Sequence, residues 1–171
     1  KHSDGSLGRI NFIVWSEVSS CPECQTDFVL WDVLADTKAG LMRSKFNCPG
    51  CSTSLTKNKC EISLTSHYDS TLGEVIKTKK YEPVIINYTA KGKRYFKSPD
   101  ASDSELNERV NNESISNWFP KNQMMGVGGN WGDTWRAGVH SGITHIHQFY
   151  TKRNLLFMSE LWSTLNLQEK F

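Results

Sequence analysis

Two tight cysteine pairs constrain this chain more than any other feature. Cys21-Pro22-Glu23-Cys24 and Cys48-Pro49-Gly50-Cys51 are separated by twenty-three residues, enough for a hairpin to bring the second pair back to the first. Each pair is a knuckle whose two thiolates can face one ion. Two knuckles together predict a ribbon-type zinc site with four sulfur ligands in a tetrahedron, each about 2.3 Å from the metal. Four protein ligands leave no position for water, so such a zinc stabilises a fold and does not catalyse. The rival reading, a redox Cys-x-x-Cys or buried free thiols, does not account for two pairs at this distance. Cys60 falls outside the pattern and reads as a small buried hydrophobe. An odd cysteine count, with four in knuckles, argues against a secreted disulfide scaffold. The expected compartment is reducing and intracellular, that is, cytoplasmic.

With 171 residues, 37% hydrophobic and 22% charged, the chain is long and apolar enough to bury a core and is not of the disordered type. Its formal net charge is only +2, so a case for nucleic acid must rest on local clustering of cations. No apolar run approaches the roughly 20 residues that span a membrane, and Lys1 to Gly5 carries no signal-peptide stretch. The opening without Met, and the close within an amphipathic segment, read as a piece of a longer protein.

The pattern predicts an α+β fold of mainly antiparallel strands around the four-cysteine ribbon, with a mid-chain helix and a C-terminal helix. Arg9 to Val18 alternates as a strand, with Ile10, Phe12 and Val14 on one face. Within the cysteine module, Phe28 to Val33 and Lys45-Phe46 read as short strands about a turn at Asp36 to Gly40. Glu61 to Tyr68 and Glu74 to Lys80 follow as strands. Val84 to Thr89 and Lys93 to Lys97 form the clearest hairpin, with Gly92 supplying positive φ at the turn. Asp100 can cap a helix carrying Leu106 and Val110. Ile143 to Tyr150 reads as a strand, and Thr151 can cap a last helix whose apolar stripe is Leu155, Met158, Leu161, Trp162 and Leu165. The expected organisation is an N-terminal strand (1–20), a zinc-ribbon module (21–60) and an α+β recognition domain (61–171).

Three further features could carry chemistry. Lys77, Lys79 and Lys80 precede the hairpin, and Lys91, Lys93, Arg94 and Lys97 sit on it. Alternation puts Lys93, Tyr95 and Lys97 on one side and Arg94 and Phe96 on the other. Such a row either contacts phosphates or guards a solvated strand edge. From Gly126 to Gly142, six of seventeen residues are Gly, interleaved with Trp131, Trp135, Arg136 and His140. No Gly-Lys-Ser/Thr follows, so this is not a P-loop, nor does it fit a strand-then-glycine cofactor fingerprint. It is either an element that enters a DNA groove or fills the gap of a flipped base, or a loop anchored by its tryptophans. His145 and His147 alternate about Ile146, and with His140 would make a three-histidine metal site of hydrolase type. The plainer reading is hydrogen-bonded structure.

Read in order, Val14-Trp15-Ser16-Glu17-Val18, Cys-Pro-Glu-Cys, Trp31-Asp32-Val33 and Cys-Pro-Gly-Cys form the first half of a series. Pro83 to Tyr88, Gly92-Lys93-Arg94-Tyr95, Trp118-Phe119-Pro120 and Gly142 to Leu155 complete it. The series resembles the zinc-ribbon-containing target-recognition insertion of bacterial amino-methylating DNA methyltransferases, which modify adenine N6 or cytosine N4. The resemblance runs from about Gly8 to Trp162. It is most specific at His145-x-His147-x-Phe149-Tyr150-Thr151-Lys152-Arg153-Asn154-Leu155 and weakest from Lys121 to Ser141. It implies a restriction-modification type of parent enzyme that uses S-adenosylmethionine, with structural zinc in this region. The partners it implies are double-stranded DNA and the methyltransferase core of the same polypeptide, with no membrane. The inserted region would bind and position the duplex by phosphate and base-edge contacts. The residues expected at DNA are Lys91, Lys93, Arg94, Arg136, Lys152 and Arg153, with Trp131 and Trp135 as wedges. Neither the cofactor-binding motif nor the Asp/Asn-Pro-Pro-Tyr/Phe catalytic motif occurs, so this chain by itself is expected to be inactive. The competing classes are a zinc-ribbon protein-interaction module without DNA affinity and a histidine-based metallohydrolase.

Overall fold

The computed structural model describes residues 2, 4–37, 39–124 and 143–165. The fold is α+β with mostly antiparallel pairing, as the pattern predicts. The chain forms two compact units, Lys1–Thr65 with Lys79–Asp100, and Ser66–Thr78 with Ala101–Phe171. These boundaries differ from 1–20, 21–60 and 61–171 because the N-terminal strand pairs with a strand some seventy residues on, which ties it to the hairpin. No helix among the described residues is long and apolar enough to cross a membrane.

The first unit is built on β1 (Arg9–Ser20), which pairs along most of its length with β10 (Tyr81–Ala90). β10 turns back as β11 (Lys93–Lys97) through Lys91 and Gly92, at φ 49° and 76°. Two consecutive positive φ values give the primed turn whose twist matches a two-residue hairpin, the reason Gly belongs here. Ile86, Tyr88 and Ala90 are buried on one face, with Ile10, Ile13 and Tyr95 packed against them. The expected stripe of Ile10, Phe12 and Val14 does not form. The register slips between Ile10 and Phe12, so a bulge puts Asn11 and Phe12 on the outer face and hands the core position to Ile13. Asn11 explains the bulge, since its amide donates to Asn87 Oδ1 at 2.9 Å and Thr89 Oγ1 at 3.0 Å.

The far end of β1 carries the ribbon. Val18 to Ser20 pair with β2 (Asp27–Val29), and Ser19 and Ser20 also pair with β7 (Glu61–Ile62). The strand expected over Phe28 to Val33 ends at Val29. Leu30–Leu34 is instead a helical turn, α1, because Leu30 and Leu34 then fall on one face and both enter the ribbon core. Two two-residue pairings follow: β3 (Ala35–Asp36) with β4 (Leu41–Met42), and β5 (Phe46–Asn47) with β6 (Ser54–Leu55). Around Val18 the backbone closes a three-way junction. Ser63 N donates to Val18 O, Lys80 N to Ser63 O, and Val18 N to Lys80 O.

The chain leaves this unit along β8 (Leu64–Asp69) and returns along β9 (Glu74–Lys79). The second unit adds α2 (Ala101–Asn112) and α3 (Lys152–Thr164), which pack on each other. Thr151 caps α3 as expected, its side chain accepting from Asn154 N. The strand expected over Ile143 to Tyr150 is a 3-10 turn, Ile146–Phe149, with a single β-bridge from His145 to Gln123. The side chain of Gln148 explains the turn: its Oε1 accepts from Thr144 N and His145 N, and that geometry closes a capping box.

Candidate metal centre

Cys21, Cys24, Cys48 and Cys51 each aim a sulfur at one point, and the four sulfurs lie within 4.8 Å of one another. Cys21 to Cys51 is 3.7 Å and Cys24 to Cys48 is 3.6 Å. Ligands about 2.3 Å from an ion at tetrahedral angles would be about 3.8 Å apart, so the spacing fits a metal. A disulfide, at about 2.05 Å, does not fit, and all five cysteines are free. Cys60 stands apart, its thiol donating to Thr56 O at 3.3 Å while its half-buried side chain packs on the ribbon core.

The two knuckles are built alike. Gln25 N donates to Cys21 O and Cys21 N to Thr26 O; Ser52 N donates to Cys48 O and Cys48 N to Thr53 O. Gln25 and Ser52 take the matching left-handed conformation, φ 57° and 62°. In each knuckle a threonine two residues beyond the second cysteine reaches its sulfur: Thr26 Oγ1 lies 3.2 Å from Cys24 Sγ and Thr53 Oγ1 3.3 Å from Cys51 Sγ. Those hydroxyls favour thiolates, bringing Cys24 down to about 6 and Cys51 below its ordinary value. Cys21, fully buried, is pushed up by desolvation to about 11. A cation at the centre would reverse that preference and hold all four as thiolates. The two threonines are a further part of the site, and their signal was in the sequence as a repeated Cys-Pro-x-Cys-x-Thr.

Gly50 is fixed by close approach. A Cβ there would meet Thr26 Oγ1 at 2.4 Å and Cys24 Sγ at 3.2 Å, so the knuckles could not close to this distance with a side chain between them. Its N–H also donates to Cys48 Sγ at 3.3 Å. Beneath the sulfurs lies a small apolar core of Phe28, Leu30, Leu34, Phe46 and Leu55, with Phe28 and Phe46 edge to face at 5.4 Å. The arrangement offers a metal four protein ligands, two buried and two exposed, and a tetrahedral ion so held has no coordination position left for a substrate.

The expected DNA-contacting residues separate into three groups. Lys91 is ion-paired to Asp4, which holds the Asp4 carboxyl below the usual carboxylate range. Among the neighbouring cations Lys79 faces Glu17, Lys80 faces Asp27 and Lys97 faces Asp100. Lys93 and Arg94 are exposed and, among the described residues, have no carboxylate partner. They lie on opposite faces of β11, as alternation requires, so the hairpin alone does not unite them on one surface. Lys152 and Arg153 fall in the first turn of α3, in the other unit. Trp131, Trp135, Arg136 and His140 lie outside the described residues.

His147 and His145 do not share a strand face. His147 is buried, and its Nε2 meets Asp69 Oδ2 at 2.8 Å, while His145 Nδ1 meets Thr144 Oγ1. Asp69 also accepts from Gln148 Nε2 at 3.2 Å and Thr71 N at 2.9 Å. Burial alone would raise this carboxyl, but the hydrogen bonds from His147 and Gln148 outweigh it and bring it down to about 2. The acidic partner that the sequence does not place near His147 thus arrives from 78 residues away. No protein-family model, curated protein or solved structure matches this chain.

Proposed function

We propose that the chain is the DNA-target-recognition region of an S-adenosylmethionine-dependent DNA methyltransferase, with a structural zinc at the four cysteines and the methyl-transfer machinery outside it. The observation that carries the DNA part is the pair Lys93 and Arg94, exposed and, among the described residues, without a carboxylate partner on a hairpin where Lys91 and Lys97 are ion-paired. A solvated strand edge guarded by Lys would not require the two to remain unpaired while their neighbours pair. Lys152 and Arg153 add to the reading. Cations are disfavoured by the dipole at a helix N-terminus, and both they and the free N–H groups there suit an anion such as phosphate. The methyltransferase part rests on the order of motifs from Val14 to Leu155.

The zinc reading is tested by elemental analysis of the purified chain. One zinc per chain is expected, and iron in its place would refute it. DNA binding is tested by mobility shift on a random duplex at two salt concentrations. Binding should weaken with salt, with the logarithmic slope falling by about 0.9 for each contacting Lys or Arg replaced. Affinity that is absent at low salt, or indifferent to Lys93→Gln and Arg94→Gln, would sink the DNA reading. Calorimetry with S-adenosylmethionine should give no heat, and specific micromolar binding would mean that this chain holds a cofactor cleft. The rival, a protein-interaction module, is favoured by one observation: Phe157, Met158 and Leu161 are exposed on α3.

A further inference from the structure

We infer that the outer face of the β11-β10-β1 sheet is a stacking platform for unpaired bases of a polynucleotide strand. The register defines this face. Phe96, Asn87 and Phe12 form one row across the three strands, and Arg94, Thr89 and Arg9 form the next. The bulge at Asn11 creates it, since without that extra residue Phe12 would turn into the core and Ile13 would turn out.

Two properties set this face apart from a polar sheet exterior. Phe96 and Phe12 are 68% and 50% exposed, although they stand on a pleat whose opposite side is buried. Their rings meet edge to face at 6.4 Å, so each leaves a π-face for a further ring. Both arginines of the neighbouring row are exposed. No carboxylate occurs on this face between Arg9 and Val14, Ile85 and Thr89, or Arg94 and Phe96. Two residues along a strand span about 7 Å, which puts each guanidinium within reach of the phosphate of a base stacked on the ring beside it.

The middle of the face is held rigid. Asn87 is almost fully buried, accepts from Asn11 and donates to Tyr95 O, so the two phenylalanines are fixed against one another by the strand between them. Exposed aromatics on a sheet with adjacent cations bind unpaired bases with little regard to sequence, because every base has a π-face. An apolar protein partner would not select for two flanking guanidinium groups. A duplex, whose bases are already stacked, would leave the rings unused. That the strand is DNA rests on the proposed function; the platform itself does not.

Fluorescence anisotropy of the full chain with three labelled probes tests this: a twelve-residue oligothymidylate, an abasic strand of the same length, and a blunt random duplex. The oligothymidylate should bind more tightly than the abasic strand. Phe96→Ala and Phe12→Ala should each weaken oligothymidylate roughly tenfold, leaving the abasic strand and the duplex nearly unchanged. Phe96→Leu and Phe12→Leu, which keep an apolar side chain but no ring, should behave like the alanine variants. An unchanged far-ultraviolet circular dichroism spectrum and a cooperative thermal melt in each variant show that the sheet, whose core is separate from that of the ribbon, is kept. Equal binding of thymidylate and abasic strands, or leucine variants with unchanged affinity, overturns the platform. Retained duplex binding in that case leaves the recognition reading standing, and binding of no probe removes both.

Discussion

Two fasteners hold distant pieces of this chain together, and they differ in what the sequence says about them. In the ribbon, four sulfurs join segments about thirty residues apart, and each half of the fastener is a complete local motif. In the second unit, Asp69 joins the turn after β8 to the 3-10 turn before α3 through His147 and Gln148. Neither half of that second fastener is a motif. A metal site must be prepared locally because its ligands have to converge on one ion within tenths of an ångström. A buried carboxylate needs only donors, and any chain segment can bring them. The contrast teaches that short-range preorganisation is legible and long-range hydrogen bonding is not.

The largest effect should come from cutting the ribbon. With Cys24→Ser, three sulfurs remain and the free energy of metal binding, about 10–16 kcal/mol for structural zinc in small modules, is largely lost. The core of Phe28, Leu30, Leu34, Phe46 and Leu55 is too small to hold the knuckles by itself. Hydrogen exchange should show protection lost from Cys21 to Leu55 while β10 and β11 keep theirs. The two-fastener contrast fails if the whole chain loses protection together.

The carboxylate fastener should break under acid, with a smaller effect. Asp69 has a folded value of about 2 against an ordinary 3.8. Its contribution is therefore present in full above about pH 4 and is lost as pH falls from 4 towards 2, when the unfolded chain takes up the proton first. That shift corresponds to something on the order of 2 kcal/mol. Trp118 and Trp162, whose rings are 5.4 Å apart in the same unit, give a fluorescence signal for it. Thermal melts from pH 5 to pH 2 should fall in the native chain and fall less in Asp69→Asn. An identical acid dependence in the two proteins would assign the loss to other groups.

The same division explains which elements could be read beforehand. The β10–β11 hairpin was legible because Gly92 and the flanking β-branched and aromatic residues state it within a few positions. The Thr151 cap is equally local. The bulge at Asn11 was not, because it depends on Asn87 and Thr89, far along the chain. Nor was the helical turn at Leu30–Leu34, where an apolar run of strand-like composition takes helical spacing to fill the ribbon core. Of the candidate site, the convergence of the four cysteines was legible from their spacing. The place of the Thr26 and Thr53 hydroxyls beside the sulfurs depends on the left-handed turns at Gln25 and Ser52, which the repeated Cys-Pro-x-Cys-x-Thr only hints at.

Those threonines allow the finest test of the contrast, because they make the metal fastener depend on hydrogen bonds as the carboxylate one does. Thr26→Val keeps the β-branched shape and removes only the hydroxyl 3.2 Å from Cys24 Sγ. A thiolate that loses a donor is harder to form and holds its charge less well, and groups in this position around metal ligands typically change affinity by about tenfold. Competition with a chromophoric chelator should therefore show metal leaving Thr26→Val at about a tenth of the chelator concentration that strips the native chain. The ribbon backbone should stay intact while metal is bound. Thr53→Val should act alike at Cys51, since Thr53 stands 3.3 Å from that sulfur in the matching knuckle. If the two changes leave chelator resistance where it was, the hydroxyls merely pack the turns, and the ribbon is fastened by its four sulfurs alone.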